Sequence, residues 1–316
     1  MPNDILLSVI IVSFNTRAMT LDCLRSLYAD IDGLNAEVWL VDNGSTDQTV
    51  SAVTEAFPAV RVIANEENLG FGAANNQAMN RSCGKFLLLL NSDAFPLAGA
   101  ISKLIAYLDA NSVTGAVGPR LLNADGSLQR SCWRFPSPMQ AWRENLGIAS
   151  LLPNHPIFGD YYRWGHDSER QVDFVIGACL LVRREVYEKV GGFDERFFMY
   201  AEECDWQRRM ADEGWKVAFV PQAEVTHLGG ASGAGERTRI NGHFFDSLDL
   251  YTKKHHGFFG LISLRAGMTI GCLARGILWG ILSVVPGLRA SALAKTRLHF
   301  WLLLRQTTCW RLAAEV

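Results

Sequence analysis

The sequence predicts an α/β protein in which a mostly parallel sheet is flanked by helices. Two observations lead to this fold class. Short runs of Ile, Leu and Val, such as the one over 5–12, end at small polar residues, which is typical of strands buried on both faces of a sheet. Between these runs, apolar residues recur at helical spacing, as in Leu21, Leu24 and Leu27. This alternation indicates parallel strands that are joined by crossover helices.

The individual elements follow from the same patterns, taken in chain order. Strands are predicted over 5–12, 37–41, 60–64 and 86–90, with helices over 21–31, from about 72, and over 97–108. Periodicity is weak over 121–173, which contains four prolines and five tryptophans or tyrosines, and we interpret this segment as an insertion. A strand over 174–182, a short helix, a helix over 202–212 and a strand over 216–220 are predicted after it.

The composition is that of a folded protein, since 49% of the 316 residues are hydrophobic and 20% are charged. The net charge of −2 combines two unlike regions. Residues 1–252 carry 21 Lys and Arg against 31 Asp and Glu, whereas residues 253–316 carry 9 against 1. Because the basic residues of the second region alternate with long apolar runs, a membrane surface is favoured over nucleic acid as its partner. We expect a main domain over 1–252 and a membrane-associated helical tail over 253–316.

Within the tail, the segment 266–288 carries a single charge, Arg275. Its length would allow a membrane span, which needs about 20 apolar residues. An arginine near the middle would cost about 2.5–3.5 kcal/mol, and the segment also contains five glycines and Pro286. A helix that lies at the interface or dips into the membrane is therefore favoured over a span. The alternative is a helix packed on the sheet.

The cysteines and the N-terminal residues indicate a reducing compartment. The seven cysteines are scattered and include no C-x-x-C pair, so neither a disulfide framework nor a zinc site is predicted. The first apolar run is preceded by Asp4 and has no basic region before it, unlike a secretory signal. We expect a cytoplasmic protein that is held on the inner face of the cell membrane by its tail.

Polar clusters follow three of the predicted strands, at the edge where open α/β sheets bind ligands. They cover residues 13–15, 42–47 and 91–93. Loop carboxylates and amides at such an edge can bind the base and ribose of a nucleotide. The alternative for 42–47 is a turn in which Asp47 caps the next helix. The sequence contains no P-loop, and no G-x-G-x-x-G follows the first strand.

Asp93 is a candidate ligand of a divalent cation because it closely follows the apolar strand over 86–90. Mg²⁺ typically takes one or two protein carboxylates and completes its shell with phosphate oxygens and water. The alternative is that Asp93 caps the helix predicted over 97–108. His227, after a predicted strand and a polar turn, is a candidate to complete a metal or diphosphate site, although a single histidine is more often structural.

A second acidic group lies over 191–205, where five carboxylates surround an aromatic run. On a helix, Glu202 and Asp205 share a face and Glu203 points about 100° away, so one or two of the three can face the same cleft. A carboxylate in a partly apolar cleft has a raised pKa and can act as a general base. The alternative is that these residues only stabilise the helix dipole.

Several segments recur together in one known family. They are SVIIVSFN (8–15), VDNGSTD (41–47), NLGFGAANN (68–76), LLLNSD (88–93), GACLLVRRE (177–185), GGFDERFFMYAEECD (191–205) and VTHLGGAS (225–232). In this combination and order, the sequence resembles the family 2 glycosyltransferases with the GT-A fold, and within them the rhamnosyltransferase-like branch. The matching part covers about residues 5–235, and the segment 121–173 would be an insertion on the acceptor side.

The resemblance implies inverting, metal-dependent transfer of a sugar from a nucleoside diphosphate donor to a glycan or lipid-linked acceptor in cell-envelope polysaccharide synthesis. It implies Mg²⁺ or Mn²⁺ as cofactor, bound by Asp93 and His227, and Glu203 as the catalytic base with Glu202 as the second candidate. The residues that it assigns to the nucleotide sugar are Ser13, Asn15, Asp42, Asn68, Gly72, Asn75, Asn91 and Ser92. Rhamnose from dTDP-rhamnose is the donor that this branch suggests.

Two positions depart from the family pattern. Asn91 replaces the first carboxylate of the DXD motif, which should weaken metal binding without abolishing it. Glu203 replaces the expected aspartate and moves the carboxylate outward by one methylene. The Q-x-x-R-W motif of processive synthases is not matched at 207–210, which favours the transfer of a single sugar.

Two other functions stay open on the sequence alone. One is a non-catalytic module that binds a nucleotide sugar or a lipid diphosphate, and the other is a sugar nucleotidyltransferase, which would release diphosphate. The aromatic residues of the insertion could stack on the acceptor sugar or pack within the insertion. They are Trp133, Trp142, Tyr161, Tyr162 and Trp164.

Overall fold

The computed structural model describes residues 5–151, 164–229 and 237–312. The strands are β1 (Leu7–Ser13), β2 (Ala36–Asp42), β3 (Arg61–Ala64), β4 (Phe86–Asn91), β5 (Ala94–Pro96), β6 (Thr114–Leu122), β7 (Leu128–Gln129), β8 (Cys132–Trp133), β9 (Arg170–Val172), β10 (Phe174–Val175), β11 (Cys179–Arg183) and β12 (Lys216–His227). The helices are α1 (Arg17–Asp30), α2 (Thr49–Ala56), α3 (Phe71–Met79), α4 (Ala100–Ala110), α5 (Pro138–Asn145), α6 (Ile148–Leu151), α7 (Arg184–Val190), α8 (Glu202–Asp212), α9 (Arg237–Leu282) and α10 (Arg289–Leu312).

The main sheet has the strand order β3-β2-β1-β4-β11-β6-β12-β5. Strands β1, β2, β3 and β4 are parallel to one another, and β12 is parallel to β6. Strand β11 is antiparallel to both of its neighbours, β4 and β6. The strands at the centre are apolar throughout, and residues 86–90 are almost completely buried. This confirms the predicted α/β class, with a mostly parallel sheet between helices, and adds a mixed region around β11.

Two elements differ from the sequence prediction in an instructive way. The strand predicted over 174–182 is divided, because β10 pairs with β8 in a separate two-stranded sheet whereas β11 pairs with β4 and β6 of the main sheet. Strand β6 was not predicted, because its two glycines and one proline are atypical of a strand. Gly118 is needed there, since a Cβ at this position would lie 2.8 Å from the side chain of Val175. The short helix α2 was also missed.

The described residues divide into two compact units. The first comprises the residues up to Phe135 together with Trp164–Leu248, and it contains the main sheet. The second comprises residues 136–151 together with the helical residues from Asp249 onward. Residues 121–135 and 164–173 of the predicted insertion contribute β7, β8 and β9 to the first unit, whereas 136–151 form α5 and α6 of the second.

In the second unit, the glycines of the apolar segment form a packing face. Gly267 and Gly271 contact α5, where a Cβ at Gly267 would lie 3.2 Å from the ring of Trp142 and one at Gly271 would collide with Asn145. Arg275, the single charge of the segment, donates to the side-chain oxygen of Asn145. One face of α9 is therefore occupied by α5, and the arginine of the apolar segment is paired within the protein.

Helix α9 is bent at Gly257, which has φ of 67°. Its part over His243–Leu282 is, among the described residues, the one helix long and apolar enough to cross a membrane. Length and composition alone give weak support for a span, since core helices of soluble proteins also satisfy them. A stripe at helical spacing is exposed on α9 and consists of Ile270, Leu273, Ile277 and Ile281.

Candidate active site

The carboxyl ends of β1, β2 and β4 lie in one row. The register pairs Ser13 with Asp42 and Val12 with Asn91, so the polar residues that end these strands are neighbours at one edge of the sheet. This arrangement follows from the parallel topology, which brings the loops after neighbouring strands together. The predicted site residues Ser13, Asp42 and Asn91 are therefore assembled at the same edge.

Asp42 is held in a defined orientation although only 2% of its surface is exposed. Its Oδ1 accepts from the hydroxyls of Ser13 at 2.9 Å and Ser45 at 2.6 Å, and its Oδ2 accepts from the N–H of Ser45 at 2.9 Å. Asn15 joins the same loop, because its backbone N–H donates to the Ser45 hydroxyl at 2.8 Å. The carboxylate is thus preorganised, as a group that binds a base edge should be.

Asp47 has a structural role in this loop. Its carboxylate accepts from the backbone N–H of Arg17 at 2.8 Å and from that of Thr49 at 3.1 Å, and it therefore supports the starts of α1 and α2. These bonds satisfy donors that a helix start leaves unpaired. The alternative of a turn with a helix-stabilising aspartate describes Asp47, whereas Asp42 lies at the sheet edge.

The segment 68–76 braces the loop that precedes α8. Asn68 accepts from the N–H of Gly70 at 2.9 Å, and the N–H of Phe71 donates to the carbonyl of Phe198 at 3.0 Å. Gly70 has φ of 90°, and a Cβ there would lie 2.5 Å from the Phe198 carbonyl oxygen. A Cβ at Gly72 would lie 3.0 Å from the Cβ of Phe193. The segment 68–76 therefore packs against the loop that contains Phe193 and Phe198 and precedes Glu202.

Asn75 and Ser92, two other predicted nucleotide-sugar residues, are also buried. Asn75 donates to the carbonyl of Phe71 at 2.9 Å, within its own helix. The hydroxyl of Ser92 lies 3.0 Å from that of Thr16, which ties the end of β4 to the start of α1. Both contacts are internal to the protein, and a role of these two residues in binding the donor stays a prediction.

Asp93 and His227 are 134 positions apart in the sequence and adjacent in the structure. Strand β5 pairs with the end of β12 so that His227 lies opposite Ala94, and the His227 Nε2 is 3.3 Å from the Asp93 Oδ1. The Asn91 side-chain nitrogen is 3.4 Å from the same Nε2. Both Asp93 and His227 are less than one-tenth exposed. The two predicted metal ligands therefore form one cluster with Asn91, which the resemblance assigns to the nucleotide sugar.

This cluster fits a divalent cation bound through few protein ligands. The His227 Nδ1 lies 2.6 Å from the side-chain oxygen of Gln129, to which it can donate, and the His227 Nε2 faces Asp93. Two ligand atoms at right angles and about 2.1 Å from one cation are about 3.0 Å apart, close to the observed separation. Within the described ranges, no group of three His, Cys, Asp or Glu residues could hold a metal. Phosphate oxygens and water would have to complete the shell.

Helix α8 begins at Glu202, after two non-glycine residues in the left-handed region. Tyr200 has φ of 67° and Ala201 has φ of 61°, a conformation that costs energy and is concentrated at functional sites. The predicted boundaries 202–212 are confirmed. Asp205 is completely buried and its Oδ2 pairs with the Arg209 Nε at 3.0 Å. Asp205 is therefore committed to a structural ion pair.

Glu202 and Glu203 differ in their surroundings. Burial, together with the neighbouring charge of Glu203, raises the pKa of Glu202 well above its usual range. Burial also raises the pKa of Glu203, and this rise is opposed by backbone N–H groups, including that of Gly177, which donate to its carboxylate. Glu203 is partly exposed, whereas Glu202 is 5% exposed. Glu203 is thus the better placed of the two to exchange a proton with a bound molecule.

The backbone at 177–178 joins Glu203 to the cation cluster. Gly177 donates to the Glu203 carboxylate, and the next residue, Ala178, accepts from the N–H of Asn91 at 2.9 Å. Gly177 is also in close packing with Glu203, because a Cβ at position 177 would lie 3.6 Å from the Glu203 Cβ. The carboxylate and the end of β4 therefore lie on either side of one dipeptide.

Two contacts of this site have no signal in the sequence. Gln129 holds the ring of His227, and Gln207 fixes α8 by accepting from the N–H of Val175 at 3.0 Å and donating to its carbonyl at 2.8 Å. Both are single glutamines without a characteristic spacing. Only pairing across the sheet and helix packing brings them to their partners.

The aromatic residues of the predicted insertion mostly pack within the protein. Trp164 stacks on His166 with ring centroids 4.4 Å apart, and Trp142 donates to the hydroxyl of Ser263 at 3.1 Å. Trp133 is 38% exposed and stays a candidate for contact with a sugar. Tyr161 and Tyr162 lie outside the described residues.

Comparison with known proteins decides the family. The model of the family described as glycosyl transferase family 2 matches residues 8–191. The chain belongs to this family. It is a glycosyltransferase, and a second model, described as glycosyl transferase family group 2, matches residues 139–313. The resemblance seen in the sequence motifs is therefore confirmed.

Two of the relatives with similar sequences are named as rhamnosyltransferases. An N-acetylglucosaminyl-diphospho-decaprenol L-rhamnosyltransferase of Mycobacterium tuberculosis is 32% identical over 235 residues, which are 70% of this chain and 76% of the relative. The O-antigen chain rhamnosyltransferase WbaN of Salmonella anatum is 24% identical, over 61% of this chain and 56% of the relative. These matches confirm the similarity to the rhamnosyltransferase-like branch.

Solved structures confirm the GT-A type of fold. The mannosyltransferase PcManGT of Pyrobaculum calidifontis, solved in complex with GDP-Man and Mn²⁺, aligns with a TM-score of 0.57. The alignment covers 96% of this chain and 82% of that protein at 20% identity, a level that supports the fold alone. Divalent manganese is thus found with this architecture in at least one neighbour.

Proposed function

We propose that this family 2 glycosyltransferase transfers a single sugar, with inversion, from a nucleoside diphosphate sugar to a hydroxyl group of its acceptor. One observation carries the proposal: Asn91, whose side chain lies beside His227 of the cluster with Asp93, and the carboxylate of Glu203 bind to adjacent residues of the dipeptide 177–178. A displacement needs a cation that stabilises the leaving group at one end and a base that takes the proton of the attacking hydroxyl at the other. Asp205 and Asp47, which are held in structural bonds, take no part.

The donor is expected to lie along the row of strand ends. Asp42 binds the base, with Ser13 and Asn15 beside it, and Asn91 faces the ribose. The other residues proposed to line the donor site are Asn68, Gly72, Asn75 and Ser92. Directional donors and acceptors of this kind select a nucleotide by hydrogen-bond geometry rather than by net charge.

The chemistry divides between the two sides of the site. Mg²⁺ or Mn²⁺, held by Asp93 and His227, would supply positive charge that offsets the charge developing on the diphosphate leaving group. Glu203 removes the proton of the acceptor hydroxyl while its oxygen attacks the anomeric carbon. Attack opposite the leaving group inverts the anomeric configuration. Residues 207–210 do not match the Q-x-x-R-W motif of processive synthases, which supports the transfer of one sugar.

The relatives suggest the donor and the acceptor. The Mycobacterium tuberculosis relative is named for transfer of L-rhamnose to a diphospho-decaprenol-linked sugar, and WbaN for rhamnose transfer to O-antigen chains. We propose dTDP-rhamnose as the donor and a glycan or polyprenyl-diphosphate-linked glycan as the acceptor. The reaction would then belong to the synthesis of a cell-envelope polysaccharide.

The product and the ligand preference test this function. We expect a panel of nucleoside diphosphates and their sugars, each with and without Mn²⁺, to show selective thermal stabilisation of the protein by one donor, because ligands that bind only the native state stabilise it. Turnover with that donor should release a nucleoside diphosphate. Release of inorganic diphosphate would instead identify a nucleotidyltransferase, and tight binding without turnover would identify a non-catalytic module.

The tail is proposed to attach the enzyme to the inner face of the cell membrane, in the cytoplasm. The exposed stripe on α9, which contains Ile277 and Ile281, would enter the bilayer interface, and exposed basic residues of the tail, such as Lys253, Arg289 and Arg297, would contact anionic lipids. Because another face of α9 is packed on α5 and Arg275 is paired with Asn145, an interfacial helix is favoured over a span.

Charged residues in the stripe should abolish membrane binding. Burial of an isoleucine contributes about 1.5–3 kcal/mol, so the double variant Ile277→Asp/Ile281→Asp is expected to bind phosphatidylglycerol vesicles at least about 100-fold more weakly in co-sedimentation. The control Val113→Asp, at a position 61% exposed in the first unit, should bind like the wild type. Unchanged binding of the double variant, or retention of the wild type in the pellet after carbonate extraction, would contradict an interfacial helix.

A further inference from the structure

Gln129 contacts the ring nitrogen of His227 that does not face Asp93. It is the last residue of β7, where it pairs with Leu121 of β6. Its side-chain oxygen lies 2.6 Å from the His227 Nδ1, and its side-chain nitrogen donates to the His227 backbone carbonyl at 3.1 Å. The same nitrogen donates to the side-chain oxygen of Asn123 at 3.1 Å. One amide therefore binds both the ring and the backbone of the histidine.

The orientation of this amide follows from its three partners. A flipped amide would place its oxygen against two other oxygens, those of His227 and Asn123, and would lose both donated bonds. With the oxygen toward the ring, the Nδ1 must carry the proton, because a side-chain carbonyl only accepts. The other ring nitrogen, Nε2, then faces the Asp93 carboxylate at 3.3 Å and the Asn91 amide nitrogen at 3.4 Å.

We propose that Gln129 is a positioning residue, which accepts the proton on the His227 Nδ1 in a hydrogen bond and so turns the Nε2 of the ring toward Asp93. The inference rests on the proposed function, in which these two residues bind a divalent cation. Outer partners of this kind fix the ring orientation and raise the basicity of a ligating histidine. Gln129 lies behind the ring and touches neither substrate nor cation.

Two substitutions separate the tautomer from the mere filling of space. Gln129→Leu removes the hydrogen-bond acceptor of the His227 Nδ1. The ring can then carry its proton on either nitrogen, and Nε2 is no longer held toward Asp93. Gln129→Glu keeps an acceptor for the Nδ1 proton, as in carboxylate–histidine–metal arrangements. Gln171→Leu on β9, at an exposed position of the same sheet, is the matched control.

The experiment measures Mn²⁺ binding to the full-length protein by the electron paramagnetic resonance signal of free Mn²⁺, in the presence of a nucleoside diphosphate. Gln129→Leu is expected to weaken binding by about 10- to 100-fold. Gln129→Glu should stay within about threefold of the wild type, and Gln171→Leu should equal it. Equal losses in the leucine and glutamate variants, or unchanged binding in the leucine variant, would overturn the proposal.

A second measurement reads the tautomer without metal or activity. Nitrogen-15 spectra of histidine-labelled protein, with the His227 signals assigned by their loss in His227→Asn, should show a protonated Nδ1 in the wild type and in Gln129→Glu. Gln129→Leu should show a proton shared between the two nitrogens. If the wild type bound no Mn²⁺, the cation site would be refuted and these spectra would still decide the role of Gln129. An unchanged spectrum of Gln129→Leu would overturn it.

Discussion

Glu203→Gln is expected to lower kcat by about 10²- to 10⁴-fold, the usual contribution of a general base. The amide keeps the size of the side chain and can still accept from the N–H of Gly177, but it cannot take the proton of the acceptor hydroxyl. Donor affinity should change little, because the proposed donor contacts lie at the strand ends. Steady-state kinetics with the proposed donor and acceptor, and a thermal-shift titration with the nucleotide, measure the two effects separately.

Two other glutamates test the specificity of this result. Glu188→Gln, at an exposed position on α7, should behave like the wild type. Glu202→Gln addresses the second candidate for the base. Burial and the charge of Glu203 raise the pKa of Glu202 well above its usual range, so the amide resembles the protonated form that this shift favours. A larger loss of kcat in Glu202→Gln than in Glu203→Gln would assign the base to Glu202.

The pH dependence of the reaction should also show that Glu203 is the base. Because burial raises the pKa of Glu203, the carboxylate is protonated at pH values where an exposed glutamate is already ionised. The rate should therefore rise as the pH passes through this elevated pKa. The pH–rate profile of Glu203→Gln should not show this rise. Folding stability should change in the opposite direction, since a raised pKa in the folded state stabilises the protein at low pH and this contribution is lost as the pH rises.

Asp93→Asn is expected to lower metal-dependent turnover by roughly 10³-fold, since a cation that stabilises the leaving group supplies several kcal/mol. The substitution removes the one carboxylate of the cation cluster and leaves Asn91 and His227 as neutral groups. Mn²⁺ binding in the presence of a nucleoside diphosphate should be lost in parallel. Isothermal titration with Mn²⁺ and steady-state kinetics over a range of Mn²⁺ concentrations measure the two losses.

Asp109→Asn is the matched control for this prediction. Asp109 is exposed and pairs with Lys85 on the surface, so its loss should change neither Mn²⁺ binding nor turnover. The reverse change at the site, Asn91→Asp, restores a second carboxylate and should tighten Mn²⁺ binding. Full activity of Asp93→Asn, or activity of the wild type that is insensitive to chelators, would contradict the proposed role of the cation.

The candidate site shows where sequence patterns are sufficient. Ser13, Asp42 and Asn91 each end an apolar run, and parallel topology alone brings such ends to one edge. The pairing of Asp93 with His227 depends on β5 and the end of β12, two elements that were not predicted there. The assignment of both residues to one cation came from the family resemblance and not from spacing.

The acidic residues around α8 show the opposite case. The sequence placed Glu202, Glu203 and Asp205 at the start of a helix, and helical geometry separated Glu203 from the other two. Which carboxylate is available was decided by the partner and the burial of each. Arg209 pairs with Asp205 at the i,i+4 spacing of the same helix, whereas Gly177, from a distant part of the chain, donates to Glu203, and burial keeps Glu202 from solvent. The last two features have no periodic signature.

The sequence by itself determined the α/β class, the strand ends that carry polar residues, and the family. These properties are encoded locally, in runs and spacings that set how each segment buries its apolar residues. Only the tertiary structure decided that β11 runs antiparallel, that Gln129 holds His227, and that the glycines of α9 receive α5. These features depend on contacts between residues far apart in the chain, whose free energies appear only after the elements have packed together.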